Sequence, residues 1–216
     1  NPAQMPPLST FERLRILTAM NYAARCVHLA AEMGLADAVG DQPIPVPALA
    51  HAIGARADVL ERVLRLLAAH DVFRLEDGAV SHSEMSRLLR SDHPSSLRAF
   101  ARMIGLRVNW RAAEQLEHSV RTGEAGMLRN LPGGVWSHYA DHPDDARIFD
   151  ASMASRASVM VPAICAAYDF SALPVVVDVG GGQGHLLNAV LDHATSTAGI
   201  VFDLPHVIEA ARSSGG

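Results

Sequence analysis

Apolar residues recur at Phe11, Leu14, Leu17 and Met20, three apart, and continue through Val27, Leu29 and Ala30. That is the stripe of an amphipathic helix, so a helix is expected from Ser9 to about Met33, stopped by Gly34. Leu35 to Val39 reads as a short helix ending at Gly40. Val46 to Ile53 and Ala57 to His70 read as two more helices, the first closed by Gly54. Then the period changes. Val72 to Leu75 and Ala79 to Ser81 are short apolar runs flanking Glu76-Asp77-Gly78, and an Asp-Gly pair between such runs is a hairpin signal. Two helices followed by a hairpin give the stretch from Ile44 to Ser81 a winged-helix rhythm.

Beyond it the helical pattern resumes from Ser95 to Thr122, ending at Gly123, and a Gly/Pro-rich loop follows at Asn130 to Gly134. A long helix is expected from about Asp144 to Tyr168. Ser171 to Pro174 reads as a junction. The pattern then changes again: Val175-Val176-Val177-Asp178-Val179 is a strand, whose run of valines suits a buried parallel sheet. A glycine cluster, a helix from His185 to His193 and a second strand, Gly199 to Phe202, follow and end at Asp203. This is a βαβ unit. The expected fold is a mainly α N-terminal domain with a winged-helix-like module (1–170), followed by the start of an α/β Rossmann-like domain (171–216).

Composition narrows the functions. Hydrophobic residues make up 49% of the 216 residues and charged residues 19%, enough for a real core. The net charge is -5, with nothing that advertises a nucleic-acid or membrane surface. All basic residues are arginine, as in a GC-rich bacterial coding sequence. The winged-helix-like helix carries Arg56, Asp58, Glu61, Arg62 and Arg65, a balance of +1, where a DNA-reading helix presents uncompensated basic and amide groups. It is therefore read as a packing module for a second subunit. Cys26 and Cys165 lie in apolar helical patterns, as small hydrophobes do. The N-terminal residues Asn1 to Pro7 lack a signal-peptide pattern, and no apolar run reaches about 18 residues. A cytoplasmic protein is expected. Asp141, His142, Asp144 and Asp145 surround Pro143 at a helix start, where acids favour the dipole, so no metal is expected. His138, His142 and His185 are read as surface or capping residues, His206 as a helix-start residue, and Met103, Met153 and Met160 as core by default.

The segment Asp178-Val179-Gly180-Gly181-Gly182-Gln183-Gly184 carries the chemistry. Glycines let backbone approach a ligand and adopt positive φ, a helix N-terminus offers free N–H groups, and an acid about 20 residues on can hold a ribose. Asp203 lies 23 residues after Gly180. The dinucleotide fingerprint G-x-G-x-x-G fails, because His185 or Leu187 stands where its third glycine belongs.

An acid just before the glycines resembles motif I of the S-adenosylmethionine-dependent methyltransferases. Phe202-Asp203-Leu204-Pro205-His206-Val207-Ile208 resembles the segment after the second strand in caffeic-acid-type O-methyltransferases and their bacterial antibiotic-tailoring relatives. Trp110 with Ser119-Val120-Arg121-Thr122-Gly123, and Phe149 with Met153, resemble two elements of the same family. The resemblance implies that Asp178, Gly180, Gly181, Gly182, Asp203 and Leu204 contribute to the S-adenosyl-L-methionine site. It also implies that Trp110, Phe149, Met153 and Met103 contribute to the pocket of a hydroxyl-bearing aromatic or polyketide-like acceptor, in a homodimer. From Pro174 the chain has 43 residues, short of a complete sheet. A fragment is expected, with exposed apolar strand faces and without the family's downstream histidine base, so no catalytic residue is assigned. The competing expectations are a dimerisation module with a vestigial loop and a relative whose reaction has drifted to hydroxylation or decarboxylation.

Overall fold

The computed structural model describes residues 8–213, so the reading of Asn1 to Pro7 lies outside the described residues. The chain forms two compact units that divide after Asn130.

The first unit opens with α1 (Thr10–Glu32). Its start is a capping box: the Glu12 N–H donates to Ser9 Oγ at 3.3 Å and the Ser9 N–H donates to Glu12 Oε2 at 2.8 Å. The chain turns at Gly34, whose φ of 66° suits glycine, into α2 (Leu35–Val39). Then come β1 (Ile44–Pro45), α3 (Val46–Ala52), α4 (Ala57–Ala69), β2 (Phe73–Glu76) and β3 (Ala79–His82). Asp77 and Gly78 both take positive φ, 50° and 75°, the requirement of a type I′ hairpin turn. The antiparallel order is β1-β3-β2, with Phe73 opposite His82 and Glu76 opposite Ala79. Helix α4 buries Leu60, Leu64 and Leu67 on one side, against a core that includes Leu35, Leu49, Phe73 and Val80. Two of its charge pairs are internal, Arg56–Asp58 and Arg65–Glu61. The succession of helices and hairpin matches the sequence expectation; the two-residue β1 is too short to show a period.

After α5 (Glu84–Arg87), the continuous pattern expected from Ser95 to Thr122 is three helices: α6 (Arg98–Gly105), α7 (Arg107–Glu114) and α8 (Leu116–Thr122). Leu106 breaks the first pair with an extended ψ of 142°, and the Asn109 amide donates to Met103 O at 2.6 Å, answering a carbonyl at the break. The break frees α6 to lie along α1. There Arg98 donates to Ala31 O at 3.0 Å and pairs with Asp37 at 2.8 Å, and Arg102 pairs with Glu32 at 2.8 Å. α9 (Met127–Asn130) ends the unit.

The second unit begins inside the expected loop, with α10 (Gly134–Asp141), followed by α11 (Pro143–Ala167). Proline at the first position of α11 loses no bond there, and Asp144 and Asp145 lie in its first turn. Strand β4 (Val175–Val179), α12 (His185–His193), β5 (Ala198–Phe202) and α13 (Pro205–Ser213) complete the unit. β4 and β5 are parallel, with Val177 opposite Ile200. Helix α12 packs on both strands and on α11 through the buried Leu187 and Val190. Gly199 allows the approach: a Cβ there would fall 2.7 Å from Leu191 Cδ1.

The valine strand is not buried as its composition suggests: Val175, Val177 and Val179 are 47%, 52% and 74% exposed. A parallel strand is buried when both its faces are covered. The outward positions alternate, so one face remains open, in line with the expectation of exposed strand faces. Met160 is also exposed rather than core, at 45%. No single described helix is long and apolar enough to cross a membrane.

Candidate functional site

The glycine loop is a turn strung between the end of β4 and the start of α12. The Gly180 N–H donates to Phe202 O at 2.7 Å, which extends the ladder one residue past β4. The Gly184 N–H donates to Gly181 O at 2.8 Å and closes the loop. Gly180, Gly182 and Gly184 take φ of 74°, 58° and 78°, where a side chain is strained. At Gly180 and Gly182 a Cβ would meet nothing within 4 Å, so the absence of side chains leaves bare backbone facing open space. At Gly181 the reason is different. A Cβ would lie 2.8 Å from Asp178 Cγ and Oδ2, so the Asp178 carboxylate is folded against the underside of the loop.

Asp203 follows β5 and reaches across to the same loop. Its Oδ2 accepts the Gly182 N–H at 2.8 Å, and its Oδ1 accepts the Leu204 N–H at 2.7 Å. The parallel register brings it there, since Val179 is paired with Phe202 and the glycine loop and Asp203 therefore leave their strands at the same end. Loop, acid and helix N-terminus therefore share the C-terminal edge of the parallel strands, where open α/β sheets bind ligands. Leu204 is exposed at the rim, at 45%. Of the six sequence-derived cofactor residues, the structure brings together Asp178, Gly180, Gly181, Gly182, Asp203 and Leu204 in this one place.

The acceptor candidates lie elsewhere in the chain, in both units. Met103 and Trp110 are half-buried on α6 and α7 of the first unit. Phe149 and Met153 are half-buried one turn apart on α11 of the second. Around Phe149 the structure shows residues that the sequence reading passed over. Trp136 meets Phe149 edge to face, with ring centroids 5.6 Å apart, and Tyr139 lies at 4.9 Å. Burial, with Asp145 and Asp150 nearby, pushes the Tyr139 phenol above its usual range. These aromatics stand on α10, of which only Gly134 fell within the expected Gly/Pro-rich loop and the rest was assigned to no element.

His138 departs from its surface reading. Its side chain is 11% exposed, Nε2 lies 2.8 Å from Asp145 Oδ2, and its ring stacks on His142 at 4.0 Å. Helix α10 turns it inward toward α11, which a count of charged residues cannot show. His185, by contrast, is exposed at the start of α12. Both cysteines are free, and burial pushes the Cys26 thiol up. Among the described residues no group of three or more His, Cys, Asp or Glu is placed to hold a metal ion.

Two family models match the chain. One, the O-methyltransferase dimerisation domain, covers residues 17–92; the other, the O-methyltransferase domain, covers residues 114–215. The phenazine O-methyltransferase PhzM of Lysobacter antibioticus is 37% identical over 212 residues, 98% of this chain and 61% of that protein. The crystal structure of LaPhzM superposes with a TM-score of 0.88 at 35% identity, over 96% of this chain and 62% of that one. An O-methyltransferase from neocarzinostatin biosynthesis, NcsB1, was solved with S-adenosyl-L-homocysteine and 1,4-dihydroxy-2-naphthoic acid. It matches with a TM-score of 0.75 at 32% identity, over 89% of this chain and 60% of that one. The chain thus spans 61% of the length of this phenazine O-methyltransferase and of the mitomycin biosynthesis 6-O-methyltransferase of Streptomyces lavendulae, which is 35% identical over 98% of this chain. With its glycine loop and acid at the strand ends and both family models matched in order, the chain belongs to the O-methyltransferase family.

Proposed function

We propose that this chain carries the donor-binding half-site and part of the acceptor pocket of an S-adenosyl-L-methionine-dependent O-methyltransferase. The acceptor would be a hydroxyl of an aromatic or polyketide-like small molecule. The observation that carries the reading is Asp203, held by the Gly182 and Leu204 amides at the mouth of a glycine loop whose Gly180 and Gly182 leave room for a ligand. The residues fit the group. A carboxylate with unused lone pairs suits the vicinal hydroxyls of a ribose. Bare backbone at Gly180 and Gly182 suits close packing of the amino-acid portion, and Asp178 braces the loop from below. The donor supplies an electrophilic methyl on a sulfonium, and the transfer depends chiefly on proximity and alignment. Phe149 and Met153 of the second unit, and separately Trp110 and Met103 of the first, are read as apolar contacts for a flat acceptor. No catalytic base is assigned to this chain.

The reading extends to the assembly. Residues 1–170 are the dimerisation and pocket part, 171–216 the beginning of the cofactor domain, and the protein works as a cytoplasmic homodimer that binds neither nucleic acid nor membrane. The dimerisation model matched over residues 17–92 supports the first of these.

Calorimetry with S-adenosyl-L-homocysteine tests the site. Asp203→Asn is expected to weaken binding at least tenfold in the whole protein, with the folded state retained by circular dichroism even though one of the two amide acceptors is lost. Equal affinity in the variant overturns the assignment of Asp203.

A further inference from the structure

The join between α10 and α11 stacks two histidines. The rings of His138 and His142 lie with centroids 4.0 Å apart and planes at 18°. Each ring is held by a hydrogen bond. His138 Nε2 lies 2.8 Å from Asp145 Oδ2 at the start of α11, and the His138 side chain is 11% exposed. His142 Nδ1 lies 2.9 Å from His138 O on α10. His142 is also the residue that separates the two helices, with φ of -128° and ψ of 78°.

The partners fix where the protons sit. A carboxylate and a carbonyl only accept, so His138 carries its proton on Nε2 and His142 on Nδ1. Acid therefore adds protons at the other two nitrogens, His138 Nδ1 and His142 Nε2. Neither addition breaks a hydrogen bond already made, because both donors keep their N–H. What acid changes is the stack. One imidazolium against a neutral ring, beside the Asp145 carboxylate, is a favourable arrangement. Two imidazolium rings at 4.0 Å repel each other.

The surrounding groups do not relieve that repulsion. On α11, Asp145 already serves His138, Asp144 is paired with Arg147, and Asp150 lies further along the helix. On α10, the Tyr139 ring is 5.8 Å from that of His138, and its phenol, held above its usual range by burial and then by Asp145 and Asp150, stays neutral. Asp141 is exposed, where solvent and salt screen it. The N-terminal end of α11 disfavours a cation at its first residues. His142, the exposed member of the pair, is the ring that can leave.

We propose that the His138–His142 stack is an acid-released latch: it holds one positive charge, comes apart on the second, and so frees the last turn of α10 from α11 as pH falls. Imidazole side chains change charge between about pH 5 and 8, so the device works in an ordinary range. Trp136 and Tyr139 stand on the same helix against Phe149, and their grouping loosens with it. The latch lies within the second unit and does not depend on the methyl-donor reading.

Amide hydrogen exchange of residues 139–142 in the full chain tests the latch at pH 7.5 and pH 5.0, with His142→Gln measured alongside. Glutamine keeps an N–H donor for His138 O and takes no charge. Comparing the two proteins at one pH removes the intrinsic pH dependence of exchange. They are expected to exchange alike at pH 7.5, and the unmodified chain at least about fivefold faster at pH 5.0. His138→Gln is expected to protect the turn at pH 5.0 in the same way, because a single cation has no like neighbour. A ratio that is the same at both pH values, or a His138→Gln chain that exchanges as fast as the unmodified one at pH 5.0, overturns the proposal. Because either variant can disturb the packing of α10, the two rings are also followed by NMR in the unmodified chain. Each imidazole resonance is expected to move in two steps as pH falls, one for its own proton and one for its neighbour's. A single step in both rings overturns the proposal equally.

Discussion

Single residues in this chain act mainly through what they exclude. His82, 7% exposed at the end of β3, places Nδ1 2.9 Å from Ser86 Oγ and stacks on Phe73. Burial, followed by Arg87 and Arg90, holds its pKa below the ordinary histidine value, against smaller opposite effects from Asp41 and the Ala36 backbone. The unfolded chain therefore takes up this proton first as pH falls, at about 6.5. The sign follows: the contribution to stability is complete above that pH and is lost as pH falls through it toward the folded value. The urea midpoint is expected to drop between pH 7.5 and 5.5, and His82→Gln is expected to flatten part of that drop, since His28 is depressed in the same direction. An identical pH slope in the variant would remove His82 from the account.

Among the elements, those with glycine punctuation were the most legible. The helices Leu35–Val39 and His185–His193 have the bounds that the pattern gives, because Gly34, Gly40 and Gly184 mark their ends. The hairpin was legible from Asp77-Gly78 for the same reason. The break at Leu106 was not, because an extended ψ at a leucine leaves the apolar spacing intact; the tertiary fit of α6 on α1 sets it. Helix α10 was hidden by Pro132, Gly133 and Gly134, which read as loop although Gly134 starts the helix. The meeting of the glycine loop with Asp203 was legible because strand, loop, helix and strand follow one another in the chain. The aromatics at Trp136 and Tyr139 were not, because their grouping with Phe149 depends on how α10 meets α11. The α1–α6 contact gives a decisive test. Alanine in place of glycine inside a helix ordinarily stabilises by up to about 1 kcal/mol. At Gly105 the added Cβ meets His28 Cβ and Cγ at 2.7 and 3.0 Å, close to the backbone of α1, where nothing can swing away. Gly105→Ala is therefore expected to destabilise by about 1–3 kcal/mol in urea unfolding; a more stable variant would show that α6 shifts without cost.

For the molecule as a whole, an apolar stripe stands exposed along α1. Phe11, Leu14 and Leu17 are 75%, 63% and 69% exposed along this one helix. Patches of this kind on soluble proteins mark interaction surfaces. Leu17 and Met20 fall within the span matched by the dimerisation model, which favours self-association for the α1 stripe. Replacing Leu14 and Leu17 together with glutamate is expected to halve the sedimenting mass at micromolar concentration, with the circular dichroism unchanged. A mass equal to wild type would assign the stripe to another contact.

The amide bonds that Asp203 accepts have a consequence for the order of events at the loop. A carboxylate has roughly four lone-pair directions, and Gly182 and Leu204 occupy two. A diol can engage the others without displacing either amide. The loop is thus preorganised, and binding need not wait for it to form. The Gly182 and Leu204 amides are expected to exchange slowly with deuterium before a ligand arrives and to gain little further protection afterwards. The donor molecule would meet a finished surface, and its residence there would be set by how fast it leaves.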